Sequence, residues 1–161
     1  MDARGILNAL VQGKVRFVVI GGVAAFLQGV PLFTNDVEVV HARDPENRRR
    51  LIEVLHLLEA RYRQHKTRVL EPKEEDLALP GTHLLVTRLG NLDLLGSVTG
   101  GKVYEDLLED ATQMELGQGV RVEVVDLAVL IEMKEALGRE KDRGKLPEYR
   151  RALEERRKRE G

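Results

Sequence analysis

Asp36 and Glu38 stand two residues apart in Asp36-Val-Glu38-Val-Val, a β-branched segment with the composition of a strand. Strand side chains alternate between faces, so both carboxylates project to one side while Val37 and Val39 project to the other. Asp93 sits alone in the apolar run Leu92-Asp93-Leu94-Leu95. A buried carboxylate costs desolvation energy unless something pairs with it. Two readings are open: an ion pair with an arginine such as Arg88 or Arg121, or a third carboxylate beside Asp36 and Glu38. Three carboxylates can hold one or two Mg²⁺ ions, and one of them can draw a proton from an attacking hydroxyl.

Gly21-Gly22 follow the apolar run Val15 to Ile20 and precede a short helical segment ending near Gln28. Glycine lets a backbone approach a ligand and leaves helix N–H groups free for an anion, although an ordinary tight turn reads the same way. Thr34 and Asn35, just before the carboxylates, can bond the turn or a ligand. Lys134 continues the apolar line of Leu127, Leu130 and Ile131 at helical spacing, so its ammonium either snorkels outward or meets a buried anion. Arg139 and Asp142 follow it closely. His41, His56, His65 and His83 have no metal-ligand spacing and read as structural or surface residues. Gly-Ser97-Val-Thr-Gly-Gly101 is glycine-rich but lacks the closing Gly-Lys-Ser/Thr of a phosphate loop.

The elements that must position these residues alternate between helix and strand. A first amphipathic helix carries Ile6, Leu7, Leu10 and Val11, and Val15–Ile20 reads as a buried strand. Asp36–His41 forms the next strand. Asp44 caps a helix with Pro45 in its first turn, running to about Ala60. Tyr62–Lys66 reads as a short strand and Lys73–Pro80 as loop. Thr82–Leu89 and Leu92–Gly96 read as strands joined at Gly90-Asn91. Ser97–Gly101 is a turn, Tyr104–Asp110 a short helix, and Val120–Val125 a strand. Asp126 caps a helix over Leu127–Leu137 that Gly138 closes, and Leu146-Pro147 opens a charged final helix.

The 161 residues suffice for one core, and 42% apolar with 33% charged residues is a globular composition. The absence of cysteine excludes a disulfide scaffold and thiolate zinc sites and fits the cytosol. No apolar run reaches the roughly 20 residues that span a bilayer, so no membrane association is expected. The net charge of −1 divides unevenly: residues 134–161 hold 11 Lys/Arg against 7 Asp/Glu. A charged helix with opposite charges at helical spacing accounts for most of that tail.

Taken together, these segments resemble the nucleotidyltransferase superfamily with the DNA polymerase β-like fold, and within it the bacterial AbiEii-type group. The resemblance rests on Ile20-Gly21-Gly22, on Gly29-Val-Pro-Leu32-Phe-Thr34-Asn-Asp36-Val-Glu38, on Asn91-Leu-Asp93, and on Lys134 followed by Arg139 and Asp142. Leu32 stands where that group carries arginine, and Glu38 where it carries a second aspartate. The resemblance implies an α/β (α+β) fold: a mixed twisted sheet flanked by helices. A core over 1–125 and a C-terminal helical segment over 126–161 would pack as one domain.

It also implies transfer of a nucleoside monophosphate from an NTP, with Mg²⁺ or Mn²⁺ held by Asp36, Glu38 and Asp93. Gly21, Gly22, Thr34, Lys134, Arg139 and Asp142 would bind the nucleotide. The acceptor stays open among a tRNA end, a protein and a small molecule. The alternative is a degenerate member that binds nucleotide, or a toxin–antitoxin partner, without turnover.

Overall fold

The computed structural model describes residues 1–65 and 67–161. Among the described residues seven helices and seven strands follow in the order α1 (Ala3–Gln12), β1 (Phe17–Ile20), α2 (Gly21–Leu27), β2 (Asp36–His41), α3 (Pro45–Leu57), β3 (Arg61–Tyr62), β4 (Thr82–Thr87), β5 (Gly90–Leu95), α4 (Tyr104–Glu109), β6 (Ala111–Glu115), β7 (Arg121–Val125), α5 (Leu127–Leu137), α6 (Glu140–Arg143) and α7 (Leu146–Glu160). The strands form one mixed sheet in the order β3-β4-β5-β2-β1-β7-β6. The α/β architecture with C-terminal helices is therefore the one expected.

β2 lies at the centre of this order. It runs antiparallel to β1 and parallel to β5. The all-buried run Phe17–Ile20 and the valines of β2 fill the middle of the sheet. A strand buried on both faces is apolar throughout, which is why β1 shows no alternation. The core continues through Leu51, Leu55, Leu85, Leu92 and Leu94 to Leu127 and Leu130.

Caps and turns set the element ends. Asp2 accepts from the Gly5 amide at 2.8 Å, and Asp44 from the Asn47 amide at 3.2 Å. Gly138 closes α5 in the left-handed region, at φ 60°. The first amide of α5 is satisfied from elsewhere: Leu127 N donates to Gln28 Oε1 at 2.8 Å. Asp126 instead accepts from the Thr112 hydroxyl at 2.6 Å, so the expected Asp126 cap is replaced by a long-range one. Gln28 is buried, and its amide donates to the Ala24 and Val125 carbonyls, which ties α2, β7 and α5 together.

Four further elements differ from the sequence reading. The β4–β5 hairpin turns at Arg88-Leu89, with Thr87 facing Gly90, two residues before the expected Gly-Asn turn. The Thr87 hydroxyl ties this turn, donating to the Gly90 carbonyl and accepting from the Leu89 amide. Glu74–Ala78, expected as loop, is a 3₁₀ turn that buries Leu77. Ala111–Glu115 forms the edge strand β6, missed because its polar residues Thr112, Gln113 and Glu115 are exposed on both faces and leave no alternation, with only Ala111 and Met114 partly buried. β3 is limited to Arg61–Tyr62, and the expected continuation to Lys66 ends on a residue outside those described. No described helix is long and apolar enough to cross a membrane.

Candidate active site

Strand register brings the three carboxylates to one face. β2 pairs with β5 so that Asp36 faces Asn91 and Glu38 faces Asp93. Residues paired across a ladder point the same way, so Asp36, Glu38 and Asp93 share a side of the sheet. The row extends outward, because Asp93 pairs with Leu84 of β4 and the Arg63 amide bonds the Leu84 carbonyl at 3.0 Å.

Each carboxylate is held differently. Asp36 accepts from the Asn91 side-chain amide at 3.0 Å. Asp93 is buried and accepts from Arg63 Nη1 at 2.8 Å, and the same nitrogen bonds the Leu85 carbonyl at 2.8 Å. The partner of Asp93 is thus neither Arg88 nor Arg121 but Arg63, on the segment following the edge strand. The Glu38 carboxylate has no hydrogen bond or ion pair among the described residues.

Electrostatics follow from this arrangement. Burial pushes the Glu38 carboxyl upward, and the neighbouring charges of Asp93 and Asp36 push it further; Lys134 and Arg139 oppose them. Burial likewise raises Asp93, against the stabilising bond and charge of Arg63. Carboxylates that repel one another and resist ionisation are relieved by a cation.

The glycines divide between two places. Gly21 opens α2 at φ +69°, and a side chain there would overlap the Glu38 carboxylate. Gly21 and Glu38 line a cavity of about 350 Å³ together with Lys134, Arg139, Thr82 and Thr99. Gly22 packs elsewhere: a Cβ there would lie 3.0 Å from Thr34 Cβ and 3.3 Å from Leu32 Cδ1. Thr34 bonds the Asp36 backbone through its hydroxyl, at 3.1 Å to the carbonyl. With Leu32, Phe33 and Phe26 it lines a separate apolar hollow of about 500 Å³. Gly22 and Thr34 therefore shape the approach to the carboxylate strand, while Gly21, Lys134 and Arg139 gather at the cavity.

Lys134 does not snorkel. Its ammonium donates to Asp142 Oδ1 at 3.1 Å and lies 5.0 Å from the centre of the Tyr149 ring. Arg139 Nε donates to the other oxygen of Asp142 at 2.6 Å. Asp142 is buried; burial works to raise its carboxyl, but the bonds from Arg139 and Lys134 outweigh that and hold it below the ordinary range. Asp142 is the anchor of the two cations, with each oxygen committed to one of them. Burial, with the charges of Asp142 and Glu38, pushes the Tyr149 hydroxyl up to about 12.

Sequence reasoning missed Arg63, Asn91, Gln28 and Tyr149. Asn91 had entered only as a neighbour of Asp93, and Arg63 only as one charge in a short segment. The histidines fall in two groups, since His41 and His83 are buried while His56 and His65 are exposed.

The donor set is all oxygen, which suits a hard divalent cation. Among the described residues no three His, Cys, Asp or Glu side chains close into a metal cage. Mg²⁺ commonly takes only one or two protein carboxylates and completes its shell with water and substrate phosphate. Asp36 and Glu38 fit that pattern.

The whole architecture is shared with known proteins. The lincosamide antibiotic adenylyltransferase LnuA, solved with lincomycin bound, superimposes with a TM-score of 0.62 at 13% identity, over 92% of this chain and 94% of that one. The antibiotic-resistance factor ANT(2'')-Ia, solved with adenylyl-2''-tobramycin, gives 0.58 at 16% identity over 94% and 86%. The Thermotoga maritima nucleotidyltransferase candidate TM1012 gives 0.54 at 20% identity over 94% and 90%. The chain has the nucleotidyltransferase fold. No protein-family model and no curated sequence matches it.

Proposed function

We propose that this chain transfers a nucleoside monophosphate from an NTP to an acceptor hydroxyl or phosphate. One observation carries the reading. Glu38 and Asp93 lie side by side on neighbouring parallel strands with Asp36 on the same face, and Glu38 lines a cavity that also holds Lys134 and Arg139. Carboxylates beside fixed cations, on a fold shared with adenylyltransferases, suit a triphosphate and its counter-ion.

Asp36 and Glu38 would hold Mg²⁺ or Mn²⁺, with Asp93 as the third carboxylate; the bound ion would neutralise charge on the triphosphate. Lys134 and Arg139, fixed by Asp142, would take charge accumulating on the departing pyrophosphate. Gly21, having no side chain, lets the Glu38 carboxylate lie against the backbone at the edge of that cavity. Asp93, held in place by Arg63, would accept the proton of the acceptor. Most of the rate gain in such a site comes from positioning and charge neutralisation rather than from covalent chemistry. The helices over 126–161 would close the cavity as part of the same unit as 1–125.

A second reading, nucleotide or partner binding without turnover, is favoured by Leu32. It packs near Gly22 in an apolar hollow at the position where the AbiEii-type group, including its toxin–antitoxin members, has arginine. Calorimetric titration with each NTP, with and without Mg²⁺, tests the shared premise. Mass spectrometry of the same mixtures for released pyrophosphate separates transfer from binding. An NTP that binds equally well without Mg²⁺, and no better than to an Asp36→Asn variant, would overturn the site.

A further inference from the structure

The carboxylates are flanked by cations on both sides, and the triphosphate site proposed above would use only one of them. Across the sheet face the row runs Glu38, Asp93, Leu84, Arg63. On the Glu38 side lie Gly21, Lys134 and Arg139. Beyond Asp93 lies a second cavity, about 460 Å³, lined by Arg61, Arg63 and Arg68 with Thr67 and Val86. Arg61 faces Val86 in the next row, the row of Asn91 and Asp36.

Arg63 already meets the need of Asp93 for a counter-charge. Arg61 and Arg68 are exposed and have no ion pair among the described residues. From Ala60 to Leu70 the sequence contains no Asp or Glu. Unpaired guanidinium groups converging on one cavity favour an anion there, and arginine's planar fork matches phosphate oxygens. The Tyr62 hydroxyl is bonded to His83 at 2.8 Å, so the arginines, with His65 and Thr67, supply the remaining polar lining, and the arginines alone carry a fixed positive charge.

Building on the nucleotidyltransferase reading, we propose that the acceptor carries a phosphate ester near its accepting hydroxyl, and that Arg61 and Arg68 bind that phosphate. The hydroxyl then lies against Asp93. Its oxygen bonds to the α-phosphorus of the NTP, the bond from that phosphorus to the α–β bridging oxygen breaks, and pyrophosphate leaves with the electron pair. The hydroxyl proton passes to Asp93. A polycationic acceptor would meet repulsion from the same arginines.

The test is binding to the full chain in Mg²⁺ with a non-hydrolysable NTP analogue present. One arm compares ribose 5-phosphate with ribose. The other compares a five-nucleotide single-stranded RNA with its uncharged methylphosphonate counterpart. At least tenfold preference for a phosphate-bearing probe is expected, and it should vanish in the Arg61→Ala/Arg68→Ala variant while analogue affinity and melting temperature hold. Preference in the first arm identifies a free sugar phosphate; preference in the second alone identifies a nucleic-acid end. No preference in either arm, or preference that survives the double variant, overturns the proposal. Failure of the analogue to bind wild type counts against the nucleotidyltransferase reading only, since both comparisons are also read without it.

Discussion

The Glu38 carboxylate occupies the space that a side chain on Gly21 would need. Gly21 follows directly on β1, whose last residue, Ile20, lies opposite Glu38 on the antiparallel β2. The glutamate's extra methylene, relative to an aspartate, is accommodated by backbone that has no Cβ.

Gly21→Ala should therefore cost more than its backbone geometry alone. An alanine at φ +69° is strained, and the overlap with Glu38 adds to that, for about 2–3 kcal/mol in all. Glu38→Asp withdraws the carboxylate, so the double variant should recover about 1 kcal/mol. Denaturant melts of the four proteins measure the coupling; strict additivity would mean that the two residues do not compete for space.

Removing Arg63 should destabilise the apo protein. Arg63→Met leaves Asp93 buried without its cation, at a cost of about 3 kcal/mol. Arg63→Met combined with Asp93→Asn should lose clearly less, because no unpaired charge remains. Chemical denaturation resolves the difference, and equal losses for single and double variants would show that the pair is not what holds Asp93.

The stability effect of Lys134→Met reverses between sequence and structure. As an apolar stripe position it reads as tolerant or improved by methionine. As the partner of buried Asp142 it should lose about 1.5–3 kcal/mol, with NTP affinity falling in parallel. A variant that melts at or above the wild-type temperature would show that Arg139 alone satisfies Asp142.

His41 should dominate the mildly acidic limb of stability. Burial lowers its pKa to about 4 from the ordinary 6.5, against the bond to the Ala42 carbonyl. The folded state thus binds fewer protons than the unfolded one. Stability is full above pH 6.5 and falls as pH drops from 6.5 through 4, by up to about 3 kcal/mol. His41→Asn keeps a donor for the Ala42 carbonyl and cannot titrate. Its baseline will be lower, but its stability should lose this slope; an unchanged slope would place the titration elsewhere.

The central half of the fold was legible in the sequence because burial on both faces leaves apolar runs, unbroken in Phe17–Ile20 and interrupted only by Asp93 in Leu92–Leu95. Asp36 and Glu38 were legible by alternation, and Asp93 by its isolation among leucines. The Arg63–Asp93 pair spans 30 residues, and no local pattern reports on it. Gln28 capping α5 across 99 residues is of the same kind. β6 escaped notice because an edge strand exposed on both faces shows neither an apolar run nor an alternation. The hairpin turn moved off Gly90-Asn91 because Gly90, at φ +134°, pairs within the ladder instead.

The carboxylate strand is the middle one of seven, and its partner β5 arrives some 55 residues later in the chain. Pairings of that separation are closed late and at high entropic cost during folding. Amides of Val37 to Val40 should accordingly exchange with solvent only through global unfolding, while those near β3 and the 61–65 segment exchange through local opening. The site is thus built across a boundary in mobility. Its carboxylate-bearing half would be as durable as the whole molecule, and any adjustment to a bound ligand would be supplied by the short outer edge that carries Arg61 and Arg63.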